Sequence, residues 1–72
     1  MARQKLKARR ASFGYTQQTV ADNVGITRTY YTEIENGNRN CALQIWFRIA
    51  DLLQIPENEI VSYIKDGMVK GA

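Results

Sequence analysis

Two short runs with helical spacing, joined by almost nothing, constrain this chain more than any other feature. Residues 16–37 read TQQTVADNVGITRTYYTEIENG. In the first run Val20, Ala21 and Val24 share a face, and Thr16 stands where an N-cap belongs. In the second, Tyr31 and Ile34 point one way, Thr27 is the N-cap, and Asn36-Gly37 supplies the stop. Only Gly25 and Ile26 separate the first run from the cap of the second. Glycine is the residue for which a left-handed helix end is cheapest. So short a link forces two helices to meet at a sharp angle.

That arrangement is a helix-turn-helix, in which the first helix braces the second and the second projects side chains into a groove. Ile26, ahead of the Thr27 cap, is placed to pack on Tyr31 as a hydrophobic staple. The same period runs through the rest of the chain. It predicts a helix over about Lys5–Phe13, with Leu6, Arg10 and Phe13 on one stripe and Gly14 ending it. It predicts another over Ala42–Leu53, with Trp46, Ile49, Ala50 and Leu53 inward. A fifth starts at Pro56, carries Ile60, Val61 and Ile64, and ends at Asp66-Gly67. The expected organisation is one all-α domain over residues 1–66, with 67–72 as a frayed tail.

On a helical wheel, Arg28, Thr29, Thr32 and Glu33 fall opposite Tyr31 and Ile34. Their chemistry suits base edges: arginine donates twice to guanine, threonine bonds or offers its methyl to thymine, and glutamate accepts from cytosine. A solvated helix face has the same composition, so the arc alone does not decide. The charge distribution adds weight. Residues 1–39 hold Arg3, Lys5, Lys7, Arg9, Arg10, Arg28 and Arg39 against Asp22, Glu33 and Glu35, a net +4, whereas residues 40–72 net −1. A positive half suits a polyanion, though a solvated basic tail would look alike. Gln17 and Gln18 occupy a first helical turn, where free N–H groups favour a phosphate. Asn36, Asn38, Arg39 and Asn40 form a loop able to hold backbone oxygens, or one chosen only for its turn chemistry. Arg10 interrupts the apolar stripe of the first helix. It pairs with Glu35 across the core or snorkels to solvent or a phosphate; the pair is the expectation, because an unpartnered buried guanidinium is costly.

Other functions are poorly served. There is no histidine, and Cys41 is alone, which excludes an internal disulfide and a Cys/His zinc site. The nearest carboxylate pair, Glu57 and Glu59, sits near a helix start, where negative charge is simply favourable. No catalytic residue, metal, cofactor or small-molecule ligand is expected. No apolar run approaches the roughly 20 residues of a membrane span, so a cytoplasmic location is expected. The exposed aromatic sheet used for single-stranded RNA is missing too.

The segment TQQTVADNVGITRTYYTEIENG resembles the helix-turn-helix of the lambdoid phage repressor and Cro superfamily, also called the XRE family. Thr16-Gln17, Ala21, Gly25-Ile26, Tyr31, Ile34 and the IENG ending carry the likeness, and LQIWFRIADLLQIPENEI resembles the family's last two helices. The resemblance spans about Leu6 to Ile64. It implies a compact five-helix, lambda-repressor-like domain that regulates transcription, most often as a repressor of phage, mobile-element or restriction–modification type. The implied partner is double-stranded operator DNA, bound by a two-fold homodimer. By the same likeness, Gln17, Gln18, Thr27, Arg28, Thr29, Tyr30, Thr32, Glu33, Asn36, Asn38 and Arg39 are the DNA-binding positions, with Arg10 and Glu35 as the internal ion pair. This chain departs from the pattern in two places. The loop reads NRNCAL without the common proline, so Asn40 becomes the expected cap of the fourth helix, and Glu33 replaces a more usual amide or basic group. Because the chain stops soon after the fifth helix, any dimer is expected to form through this domain, with Leu52, Ile55, Ile60, Val61 and Ile64 as interface candidates; a place in the core is the alternative, above all for Ile60. The competing reading is a protein-interaction module, antirepressor or antitoxin-like, that keeps the fold without reading DNA.

Overall fold

The computed structural model describes residues 2–66. The expected tail at 67–72 lies outside them. Five α-helices follow in order: α1 (Gln4–Ser12), α2 (Gln17–Val24), α3 (Arg28–Glu35), α4 (Leu43–Leu53) and α5 (Ile60–Lys65), with a single 3₁₀ turn at Glu57–Glu59 leading into α5. No strand occurs among the described residues. The fold is the all-α lambda-repressor-like one.

Local chemistry explains the two central helices. Thr16 Oγ1 accepts from Thr19 N at 3.0 Å, and Thr27 Oγ1 accepts from Tyr30 N at 3.0 Å, so each helix has a side-chain cap. Gly25 sits at φ 85°, in the left-handed region, and its N–H reaches Ala21 O at 2.9 Å. The chain then leaves α2 sharply enough for α3 to start two residues after Ile26.

The core is made of Leu6, Val20, Ala21, Val24, Tyr31, Ile34, Trp46, Ile49, Ala50, Leu53, Ile55, Ile60 and Tyr63. Ile55 and Ile60 are 6% and 4% exposed, which corrects their place among the interface candidates: the monomer has already used both. Val61, another of those candidates, is exposed, and Tyr63, which the sequence reading did not place, is buried. A 3₁₀ turn leads into this helix. It rotates the start of α5, so Ile60 and Tyr63 face the core and Val61 lies about a quarter turn away.

Asn40 does not cap α4. Ala42 occupies that position with no side-chain bond, while Asn40 Oδ1 accepts from Arg3 Nη2. Arg3 is 1% exposed. Its Nε donates to Ile64 O at 3.1 Å, its Nη1 to Ile34 O and Arg39 O, and its guanidinium lies 5.3 Å from the Trp46 ring centre. Among the described residues no carboxylate pairs with it. The charge is met by carbonyls at the ends of α3 and α5, where helix dipoles are negative. Burial lowers its pKa from the usual arginine value.

Other arginines repeat the device. Arg9 donates to Leu53 O at 2.8 Å and to Gln54 O, closing α4. Arg48 donates to Val24 O at 3.2 Å, closing α2. Two of the seven basic residues of the N-terminal half, Arg3 and Arg9, are thus engaged at helix ends.

Candidate nucleic-acid interface

Glu35 is the fixed point from which the face is built. Its side chain is fully buried and accepts four hydrogen bonds: Arg10 Nε at 2.7 Å, Arg10 Nη2 at 3.1 Å, Gln17 Nε2 at 2.9 Å and Tyr31 Oη at 2.9 Å. Burial pushes the carboxyl pKa upward. The bonds from Arg10, Gln17 and Tyr31, with the charge of Arg10, outweigh it and hold the group below the usual carboxylate value. The same pairing raises Arg10, while burial and the adjacent carboxylate raise the Tyr31 phenol. Arg10 also donates to Tyr15 O at 2.8 Å. Its side chain is only 15% exposed, so it is turned inward rather than toward a phosphate. The cluster ties α1, α2 and α3 together at one point.

Gln17 carries that rigidity to the surface. While its Nε2 donates to Glu35, its Oε1 accepts from Thr32 Oγ1 at 3.1 Å. Thr32 is consequently half-buried and engaged, whereas Arg28 and Thr29 on the same arc are exposed. Two shallow depressions meet at Arg28. One, of about 530 Å³, is lined by Arg10, Tyr15, Thr16, Gln17, Gln18 and Arg28 at the start of α2. The other, of about 270 Å³, is lined by Arg28, Thr29, Thr32 and Glu33 along α3. The first joins a helix N-terminus to a cation, a combination suited to an anionic oxygen. The second presents a guanidinium, hydroxyls and a carboxylate side by side.

The remaining positions spread around this centre. Thr27, Asn36 and Asn38 are exposed, Tyr30 is half-buried, and Gln18 spends its amide on Asp22 Oδ1 at 2.7 Å. Arg39 is exposed but engaged. Its Nε lies 2.9 Å from Glu33 Oε1, and its guanidinium sits 5.0 Å from the Tyr30 ring centre. Glu33 thus meets Arg39, not Arg28. Within the described residues, Lys7 and Arg28 are the exposed cations of the N-terminal half that hold no hydrogen bond or ion pair. Arg3 was missed as a structural residue, because it precedes α1 and belongs to no periodic stripe.

Among the described residues no group of three or more His, Cys, Asp or Glu is gathered to hold a metal. Burial pushes the Cys41 thiol up to about 11, away from the reactive thiolate. No helix of the described residues is long and apolar enough to cross a membrane.

Comparison with known proteins gives one family. The helix-turn-helix family pattern matches residues 6–60. An uncharacterized HTH-type transcriptional regulator of Bacillus subtilis (strain 168), YqaF, is 42% identical over 53 residues, covering 74% of this chain and 70% of that protein. The control protein C.MunI of Mycoplasma sp is 36% identical over 59 residues, covering 82% of this chain and 80% of that one. Taken with the five-helix fold and the exposed α3 arc, these matches place the chain in the XRE-type helix-turn-helix family of DNA-binding transcription regulators.

Proposed function

We propose that the protein is a sequence-specific repressor that binds a palindromic operator as a homodimer in the cytoplasm, of phage, mobile-element or restriction–modification type. The observation that carries this reading is the α3 arc. Arg28 and Thr29 lie open to water, on a helix held from behind by the buried Glu35 cluster. In this reading Arg28 and Thr29 address base edges, and Gln17, Gln18, Asn36, Asn38 and Arg39 address the sugar–phosphate backbone, with Thr27 and Tyr30 at the edges and Glu33 beside them, paired with Arg39. The name of the relative C.MunI, a control protein, is in keeping with a regulator of this kind.

A two-fold dimer would set two α3 helices in successive major grooves, about 34 Å apart. Exposed apolar side chains are available for it. Leu43 and Phe47, one turn apart on α4, are 56% and 44% exposed, and Val61 on α5 is 56% exposed. Leu52 and Ile64 are half-buried beside the core. These replace Ile55 and Ile60 in the proposed interface. The same apolar surface is what favours the second reading, a protein-interaction module.

Selection of bound duplexes from a random pool separates the two. A repressor of this kind returns two half-sites related by two-fold symmetry at a fixed spacing. An interaction module returns no enrichment, and then the operator reading is wrong.

A further inference from the structure

Glu33 is an acidic group near the middle of a face read as DNA-binding. On the α3 wheel it lies beside Thr29 and across from Tyr31. A bare carboxylate there would meet the phosphates of any duplex unfavourably. The structure does not leave it bare. Arg39 comes from the loop beyond α3 and places Nε 2.9 Å from Glu33 Oε1. Its guanidinium rests over Tyr30, which lies three residues before Glu33 on the same helix. The loop that carries Arg39 is itself fixed. Asn38 N donates to Glu33 O at 3.0 Å, and Arg39 O accepts from the buried Arg3 at 3.1 Å.

The pairing changes what Arg39 can contribute. A free arginine in this loop would serve any phosphate, whatever the sequence, and would add to binding everywhere alike. A paired one offers little net charge, and a phosphate must displace Glu33 to gain its full value. We propose that Glu33 is a specificity-determining residue that restrains sequence-independent DNA binding by holding Arg39 in an intramolecular ion pair over Tyr30. The proposal rests on the DNA-binding reading above. It assigns Glu33 a task distinct from reading a base, since its action is exerted through Arg39.

The test is binding of the full chain to a random-sequence duplex across a salt series, for the unsubstituted protein, Glu33→Gln, Arg39→Met and the double variant. Both side chains are largely exposed, at 40% and 55%, so all four proteins should fold; circular dichroism checks this. Glu33→Gln should tighten random-duplex binding by up to roughly fivefold, the upper range for an exposed pair. It should also steepen the slope of log K against log salt by about 0.9, one additional phosphate contact. In the Arg39→Met background the same substitution should relieve only the carboxylate's own repulsion, tightening binding by clearly less and adding no phosphate contact to the slope. If Glu33→Gln tightens binding equally in that background, Glu33 acts by its own charge and the proposal is overturned. If it leaves random-duplex binding unchanged and alters preference at one base, Glu33 is a reader and the proposal is again overturned. If the unsubstituted chain shows no salt-sensitive binding to any duplex, the DNA-binding reading falls and takes this one with it.

Discussion

Replacing Glu35 with glutamine removes one charge and almost no volume, yet the structure predicts a large loss of stability. All four groups around the carboxylate are donors in the folded state. Tyr31 and Gln17 can adjust: a hydroxyl can turn to accept, and an amide can flip. Arg10 cannot, because guanidinium has no acceptor, and it addresses both oxygens, with Nε on Oε2 and Nη2 on Oε1. Whichever way an amide at position 35 is oriented, its NH₂ faces an arginine N–H. One donor pair is left opposed in a fully buried site, and Arg10 loses its counter-charge. Breaking one side of a buried pair costs about 3–5 kcal/mol. A 72-residue domain has in total only about 4–11 kcal/mol, so most of its stability would go. Urea unfolding followed by circular dichroism measures this. With a slope near 1 kcal/mol/M for a chain this small, the midpoint should fall by roughly 3–5 M, or the chain should be unfolded without urea. Arg10→Met should cost a similar amount, and the double variant less than the sum of the two, because both remove the same interaction. A loss below about 1 kcal/mol for Glu35→Gln, or strict additivity with Arg10→Met, would refute the four-donor argument.

Other consequences can be measured in the same way. Because the folded-state pKa of Glu35 is depressed below its ordinary 4.5, its contribution is full above that value and is lost as pH falls through the lower folded one; urea midpoints measured downward from pH 6 should drop in this acidic window, and less so in Glu35→Gln. Arg28→Ala should lower affinity for a selected operator by about 1–3 kcal/mol and relax preference at one base pair, read by repeating the duplex selection. Gln54, at φ 55°, is the one non-glycine in the left-handed region among the described residues, so Gln54→Gly should raise stability by about 0.5–1 kcal/mol in thermal melts, whereas Gly25→Ala should lower it. Arg3→Met should destabilise by about 3 kcal/mol in urea, since the Ile34, Arg39 and Ile64 carbonyls and Asn40 Oδ1 lose their donor together.

What could be read from the sequence divides by the range of the interaction. Caps at Thr16 and Thr27, and the turn at Gly25, depend on neighbours three or four residues away, and residue type alone reveals them. The arc of α3 follows from a period. The Arg10–Glu35 contact crosses 25 positions but was betrayed by a charge standing in an apolar stripe. Arg3 broke no pattern. It meets Ile64 across 61 positions, and only the finished fold brings them together. The inward turn of Tyr63 likewise depends on a 3₁₀ turn that Pro56 and two glutamates do not announce. At the interface, the residue types were legible and their engagements were not. Glu33 with Arg39, and Gln17 between Glu35 and Thr32, are choices of partner among several within reach.

The short arm ahead of α1 has a practical meaning for anyone handling this protein. Arg3 N donates to Glu35 O at 2.8 Å while its side chain latches the far end of the molecule, so the third residue works as a bolt through three separate parts of the chain. Removing residues 1–3 would keep the whole of α3 and leave the carbonyls of Ile34 and Ile64 without that donor.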